Sequence, residues 1–120
     1  MQVGDFAELR RTFTAGDMAG FAALAGVEAG DRVPEPLLAA LVSYLLGVKL
    51  PGPGTNYLKQ ELAFPAPAPL DAPLTARVEV TRLRADKRIA DLWATCRTAD
   101  GTLVAEGRSL VKYADSAHGR

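Results

Sequence analysis

Thiol, imidazole and indole groups are scarce in this sequence, which has one cysteine, Cys96, one histidine, His118, and one tryptophan, Trp93. A lone cysteine excludes an internal disulfide and any multi-cysteine metal site, and it fits a reducing compartment. The lone histidine stands near the end of the chain, where a solvated side chain is the ordinary reading and a catalytic one is not expected. Net charge is missing too. Fourteen basic residues balance 14 acidic ones, so no overall field recruits nucleic acid or an anionic membrane, and neither is expected as a partner. No apolar run approaches the ~20 residues that cross a bilayer. The longest, Leu37 to Val48, is interrupted by Ser43 and Tyr44. The start, Met1-Gln2-Val3-Gly4-Asp5, has neither the basic nor the apolar segment of a secretion signal, so a cytoplasmic location is expected. No phosphate loop, metal-ligand cluster or nucleophile–base pair is present. Neither a metal nor a cofactor is expected.

What is there is globular. Apolar residues make up 48% of the chain and charged ones 23%, and a length of 120 residues suits one domain spanning 1–120. Arg10 to Phe13 reads as a short strand. Thr14-Ala15-Gly16-Asp17 then matches a capping box, in which the Thr14 hydroxyl accepts the amide three residues on and Asp17 reaches back. Met18, Phe21, Ala22 and Leu24 or Ala25 follow at helical spacing, so a short helix is expected over about 15 to 25, stopped by Gly26. Val27 to Pro36, with Gly30 and two prolines, reads as an exposed connection. Pro36 is expected at the first position of a second helix. Leu37, Leu38, Leu41, Val42, Leu45 and Leu46 form one stripe at the 3.6 period through Val48. No charge lies on any face, so this helix is expected to be buried.

After the rigid loop Leu50-Pro51-Gly52-Pro53-Gly54 the period changes to two. Tyr57 to Phe64 alternates, with Leu58, Gln60, Leu62 and Phe64 on one face. Pro65 to Pro73 is too rich in proline for a central strand. Leu74 to Leu83, Ile89 to Arg97 and Leu103 to Lys112 are strands joined by a turn at Ala85-Asp86-Lys87 and a hairpin at Asp100-Gly101. Ala90, Leu92, Ala94 and Cys96 are expected inward and Trp93 outward. Asp115 to Arg120 is expected to fray. The layout is α+β, an antiparallel sheet wrapped around one apolar helix. One sheet covers only one side of that helix, so a partner subunit is expected on the other.

From Leu45 to Phe64, above all in Leu50-Pro51-Gly52-Pro53-Gly54-Thr55-Asn56-Tyr57-Leu58, the chain resembles (R)-specific enoyl-CoA hydratases, the MaoC-like branch of hotdog proteins. Phe21 to Leu24, Leu74 to Val80, Asp86-Lys87 and Val111-Lys112 extend the likeness over nearly the whole chain outside Ala25 to Pro36. The resemblance implies a five-stranded antiparallel sheet around a central helix, edge-to-edge pairing of two protomers, and acyl-thioester sites at their interface. It also implies substrate contacts from Ser43, Tyr44, Gly54, Tyr57 and Leu58. Ser43 reads equally as a small packing residue, and the tyrosines as core rings with hydroxyls at the rim.

The departure from the family is concentrated in one place. The family carries a Ser-x-Asp-x-Asn-Pro-x-His-like element after the first helix, whose Asp activates water and whose His completes the acid–base pair. Hydration needs such a pair, because one group must take a proton while another gives one. Here Val27 stands where the Asp belongs, no Asn-Pro follows, and a stretch of the usual connection is absent. Pro34, Glu35 and Pro36 replace a His-Gly-Met whose Gly amide serves the thioester oxygen, and a carboxylate between prolines suits that role poorly. Glu28, Asp31 and Glu35 are the only carboxylates near the lost site. They are either relocated catalytic groups, if the connection folds inward, or ordinary solvated acids.

Arg77, Arg82, Arg84, Lys87 and Arg88 give the hairpin that turns at Ala85-Asp86-Lys87 a basic edge that suits coenzyme A phosphates or an acidic carrier protein. A sheet edge guarded against aggregation accounts for them equally. The expected function is therefore acyl-thioester binding, with coenzyme A or an acyl carrier protein as carrier, without standard hydratase catalysis. That describes a pseudoenzyme, or a subunit of a homodimer or of a heterodimer with an intact hydratase. The alternative is an active enzyme, a weak hydratase or a thioesterase, using a relocated carboxylate.

Overall fold

The computed structural model describes residues 1–27 and 30–114. Three strands, β3 (Pro73–Arg84), β4 (Ile89–Thr98) and β5 (Leu103–Lys112), follow one another as antiparallel hairpins. The strand β1 (Phe6–Thr12) adds to β3 and β2 (Asn56–Ala63) adds to β5, so the sheet order is β1-β3-β4-β5-β2. All pairings are antiparallel. The expected α+β layout with five strands is what the chain adopts.

The period-two pattern places the core. Ala76, Val78 and Val80 of β3 and Ala90, Leu92, Ala94 and Cys96 of β4 are fully buried. Trp93, on the opposite face, is 43% exposed. At the tip between β4 and β5, Gly101 takes φ +90, and Asp100 accepts hydrogen bonds from the Thr98 hydroxyl and from the Thr102 amide and hydroxyl. That arrangement is the hairpin chemistry expected of Asp-Gly.

The first helix, α1 (Ala15–Ala25), starts with the expected capping box: the Asp17 amide donates to Thr14 Oγ1 at 3.2 Å and the Thr14 amide to Asp17 Oδ2 at 2.8 Å. Gly26 ends it in the left-handed region, its amide bonded to the Ala22 carbonyl at 2.9 Å. Met18 and Ala22 are buried, but Leu24 is 93% exposed and does not join the core.

The second helix, α2 (Glu35–Tyr44), begins one residue earlier than Pro36 predicts. Pro34 is extended and its carbonyl takes the Leu37 and Leu38 amides, so Pro36 occupies the second helical position, where an amide is equally dispensable. The helix then widens into a π-helical turn, Leu45–Lys49, before the cis Leu50–Pro51 bond. Leu38, Leu41, Val42, Leu45 and Leu46 are buried beneath α2 and the π turn. Each such side chain contributes roughly 1.5–3 kcal/mol through burial. The opposite side is open: Ala40 and Ser43 are exposed, Tyr44 is 49% and Val48 52% exposed. In the single chain the sheet covers one side of the helix and leaves the other open, the side on which a partner subunit is expected.

Three further expectations are corrected. The first strand runs over Phe6–Thr12 rather than from Arg10 to Phe13; as an edge strand with mostly exposed side chains it carries little apolar alternation. A bulge between Tyr57 and Lys59 turns Leu58 out of the Gln60, Leu62, Phe64 face, leaving it 51% exposed. The connection before α2 is not wholly exposed, because Val33 is buried, its amide bonded to the Ala68 carbonyl at 2.9 Å. The expected fraying of 115 to 120 lies outside the described residues.

Candidate functional site

The loop from Leu50 to Thr55 delivers the chain to β2 in a fixed geometry. Thr55 Oγ1 donates to the Gly52 carbonyl at 2.6 Å. Gly54 has φ +88 and sits so near Ala114 that an added Cβ would meet the alanine methyl at 2.8 Å, so only glycine serves here. This turn sets Tyr57 against α2, and the Ser43 and Tyr57 hydroxyls lie 2.7 Å apart, within hydrogen-bond distance. One O–H is spent between them and the other stays free to donate to a ligand carbonyl. Tyr57 is 45% exposed and Leu58 beside it 51%. Of the five expected substrate-contact residues, Ser43 and Tyr57 meet across the β2 flank of α2, while Leu58 follows Tyr57 in β2 and Gly54 lies in the loop before it.

Tyr44 does not join them. It faces a groove of about 550 Å³ between α2 and β1, together with Leu9, Phe13, Leu37 and Lys49. One residue along a helix turns the side chain by about 100°, enough to move it to the other flank.

The carboxylates lie elsewhere again. Glu35 is exposed at the start of α2, on the wall of a cavity of about 430 Å³ that Arg32, Leu38, Phe64 and the Pro65–Ala68 segment also line. Asp31 is exposed at a neighbouring depression with Arg32, Pro67 and Pro69. Neither makes an ion pair or side-chain hydrogen bond among the described residues. Glu28 lies outside them, as does His118. Eight helical positions separate Glu35 from Ser43, roughly 12 Å along the axis, so the carboxylate and the hydroxyl pair do not form one constellation. Arg32, missed in the sequence among ordinary loop charges, is the cation nearest Glu35 in chain and cavity alike.

Among the described residues no cluster of His, Cys, Asp and Glu could hold a metal ion. Burial pushes the Cys96 thiol up to about 11, which removes it as a nucleophile near neutral pH. Arg77 is not part of a basic hairpin edge. It stacks 3.8 Å over the Phe6 ring and pairs with Glu79 at 2.9 Å and Glu8 at 3.5 Å. No helix among the described residues is long and apolar enough to cross a membrane.

No family model matches the chain. Among curated proteins it is 41% identical to an (R)-specific enoyl-CoA hydratase of Aeromonas caviae, over 93% of this chain and 95% of that protein. It is 33% identical to a 3-hydroxybutyryl-CoA dehydratase of Methylorubrum extorquens, over 93% of this chain and 80% of the relative. Both alignments run to 127 residues, more than the 120 of this chain, so each relative has positions with no counterpart here. Among solved structures, the (R)-hydratase from A. caviae involved in PHA biosynthesis superposes with a TM-score of 0.87 at 38% identity, covering 95% of this chain and 98% of the other.

Proposed function

Because this chain belongs to the MaoC-like (R)-specific enoyl-CoA hydratase family and has its hotdog fold, we propose that it binds acyl thioesters without hydrating them. The observation that carries the reading is the composition of the segment between α1 and α2. Val27, 56% exposed, takes the place of the water-activating Asp, and no imidazole accompanies it, since the only histidine is His118. Glu35 between Pro34 and Pro36 takes the place of the amide donor. The longer alignments of the two relatives support the loss of a segment. Base, acid and oxyanion support are absent together, while the Ser43–Tyr57 pair that can hold a thioester carbonyl remains.

The carrier is coenzyme A or an acyl carrier protein, and the setting is fatty acid metabolism in the cytoplasm. The β2 flank of α2, where Ser43, Tyr57 and Leu58 are exposed, is the surface a second subunit covers, with β2, an edge strand, adding to its counterpart. That subunit is another copy of this chain or an intact hydratase that this chain helps to hold substrate.

One observation favours a second reading. Glu35 lies at a cavity wall beside Arg32, where a carboxylate could serve as base for a weak hydratase or a thioesterase. Calorimetric titration with butyryl-CoA tests the binding claim. Saturable binding is expected, weakened at least tenfold by Ser43→Trp, which blocks the hydroxyl pair. Absence of binding to the unaltered protein overturns it.

A further inference from the structure

The groove between β1 and α2 is left unused by thioester binding at Ser43 and Tyr57. Its volume of about 550 Å³ is in the ~300–1,000 Å³ range usual for small-molecule sites. Leu9, Phe13, Leu37 and Leu41 make its floor; Phe13 and Leu41 are buried, and Leu9 and Leu37 partly so. The rim is different in kind. Leu9 and Arg11 alternate along β1 and so share one face, Phe13 follows directly after the strand, and a guanidinium is thereby set beside the apolar floor. Lys49, at the end of the π turn, supplies a second cation, and Tyr44 lines the same groove. Arg10 lines it as well, and no acidic residue does. Arg11 lies 4.8 Å over the Phe13 ring and 3.7 Å from Asp17, a half-exposed pair of the weak kind that leaves a guanidinium free to recruit a second anion.

An apolar trough with cations at one rim matches an amphipathic anion. We propose that this groove is a second ligand site, binding an aliphatic carboxylate whose chain lies along Leu9, Phe13, Leu37 and Leu41 and whose head is held by Arg11 and Lys49. The site is independent of thioester binding. The strands β1 and β2 are opposite edges of the sheet, so pairing of subunits through β2 leaves the groove open.

The probe is decanoate, kept below its micellar concentration, with decanol as the uncharged control, followed by isothermal titration calorimetry. Decanoate is expected to bind saturably and at least tenfold more tightly than decanol. The exposed position Ala40 lines the groove, so Ala40→Trp is expected to fill it and weaken decanoate at least tenfold while butyryl-CoA binding is unchanged. The double change Arg11→Glu with Lys49→Glu is expected to bring decanoate down to the level of decanol. Far-ultraviolet circular dichroism and mass-detected chromatography confirm that each variant is folded and assembled as the parent. No saturable decanoate binding, equal binding of decanoate and decanol, or binding unaffected by either change overturns the proposal. Loss of butyryl-CoA binding in the parent protein leaves all three readouts in force.

Discussion

Gly107 offers the sharpest test of the packing that sets β2, and hence Tyr57, in place. It lies opposite Leu62 in the β2–β5 ladder, and a Cβ built on it would stand 1.7 Å from the Glu61 carbonyl oxygen. Carbon and oxygen need about 3.3 Å even in their tightest contacts. In Gly107→Ala the two strands must therefore part by roughly 1.5 Å, more than a backbone hydrogen bond tolerates. Two lost ladder bonds at about 1 kcal/mol each, with overpacking strain of about 1–3 kcal/mol, give a destabilisation of about 3–5 kcal/mol. Gly20→Ala is the matched control. It lies inside α1 with nothing within 4 Å of the added Cβ, so it should stabilise by about 0.5–1 kcal/mol. Urea unfolding followed by Trp93 fluorescence, at one protein concentration for all variants, reads both. Trp93 is a suitable reporter because it pairs with Arg108, the residue after Gly107. A Gly107→Ala loss under about 1 kcal/mol refutes the reasoning.

Three further outcomes follow from the same structure. The Cys96 thiol, buried and pushed up to about 11, should resist Ellman's reagent in the native protein and react in denaturant at the rate of a free thiol; prompt native labelling contradicts the burial. Hydrogen bonds from the Thr98 hydroxyl first, then the Thr102 amide and hydroxyl, hold the Asp100 carboxyl at about 2, below its ordinary 3.8. A depressed folded value means that its contribution to stability is present above the ordinary value and lost as pH falls through about 2. NMR titration of its carboxyl carbon should show that low midpoint, and Asp100→Asn should flatten the acid limb of the stability curve. Mass-detected size exclusion should give a dimer, and a stable monomer contradicts the role assigned to the β2 flank of α2.

Much of this fold was readable in order along the chain, because local chemistry and global packing agree there. The Thr14–Asp17 capping box, the Asp100-Gly101 hairpin and the alternation of Ala90 to Cys96 each have one low-energy solution, and the structure adopts it. The features that escaped are those that depend on a neighbour remote in sequence. The first strand is specified by its pairing with β3 and not by its own pattern. The bulge that exposes Leu58 is a mismatch between β2 and β5. Gly107 sits mid-strand with an ordinary pattern around it, though a glycine inside a strand is itself a sign of close backbone approach. At the site, the resemblance pointed to Ser43, Gly54, Tyr57 and Leu58, of which Ser43 and Tyr57 meet. Tyr44 was grouped with Ser43 by adjacency in sequence, and helical geometry separates them. The groove it faces is assembled from β1, α2 and the π turn, so no local pattern announced it; the shared parity of Leu9, Arg11 and Phe13 was the one clue.

Whether this hydratase-family scaffold, with Val27 proposed in place of the family's Asp, is catalytically silent is decided by incubating the purified protein with crotonyl-CoA and following the enoyl absorbance. The account predicts no loss beyond the uncatalysed rate at any protein concentration that saturates with butyryl-CoA. Hydration that scales with protein and is abolished by Glu35→Gln contradicts it, and assigns the chemistry to the carboxylate beside Arg32.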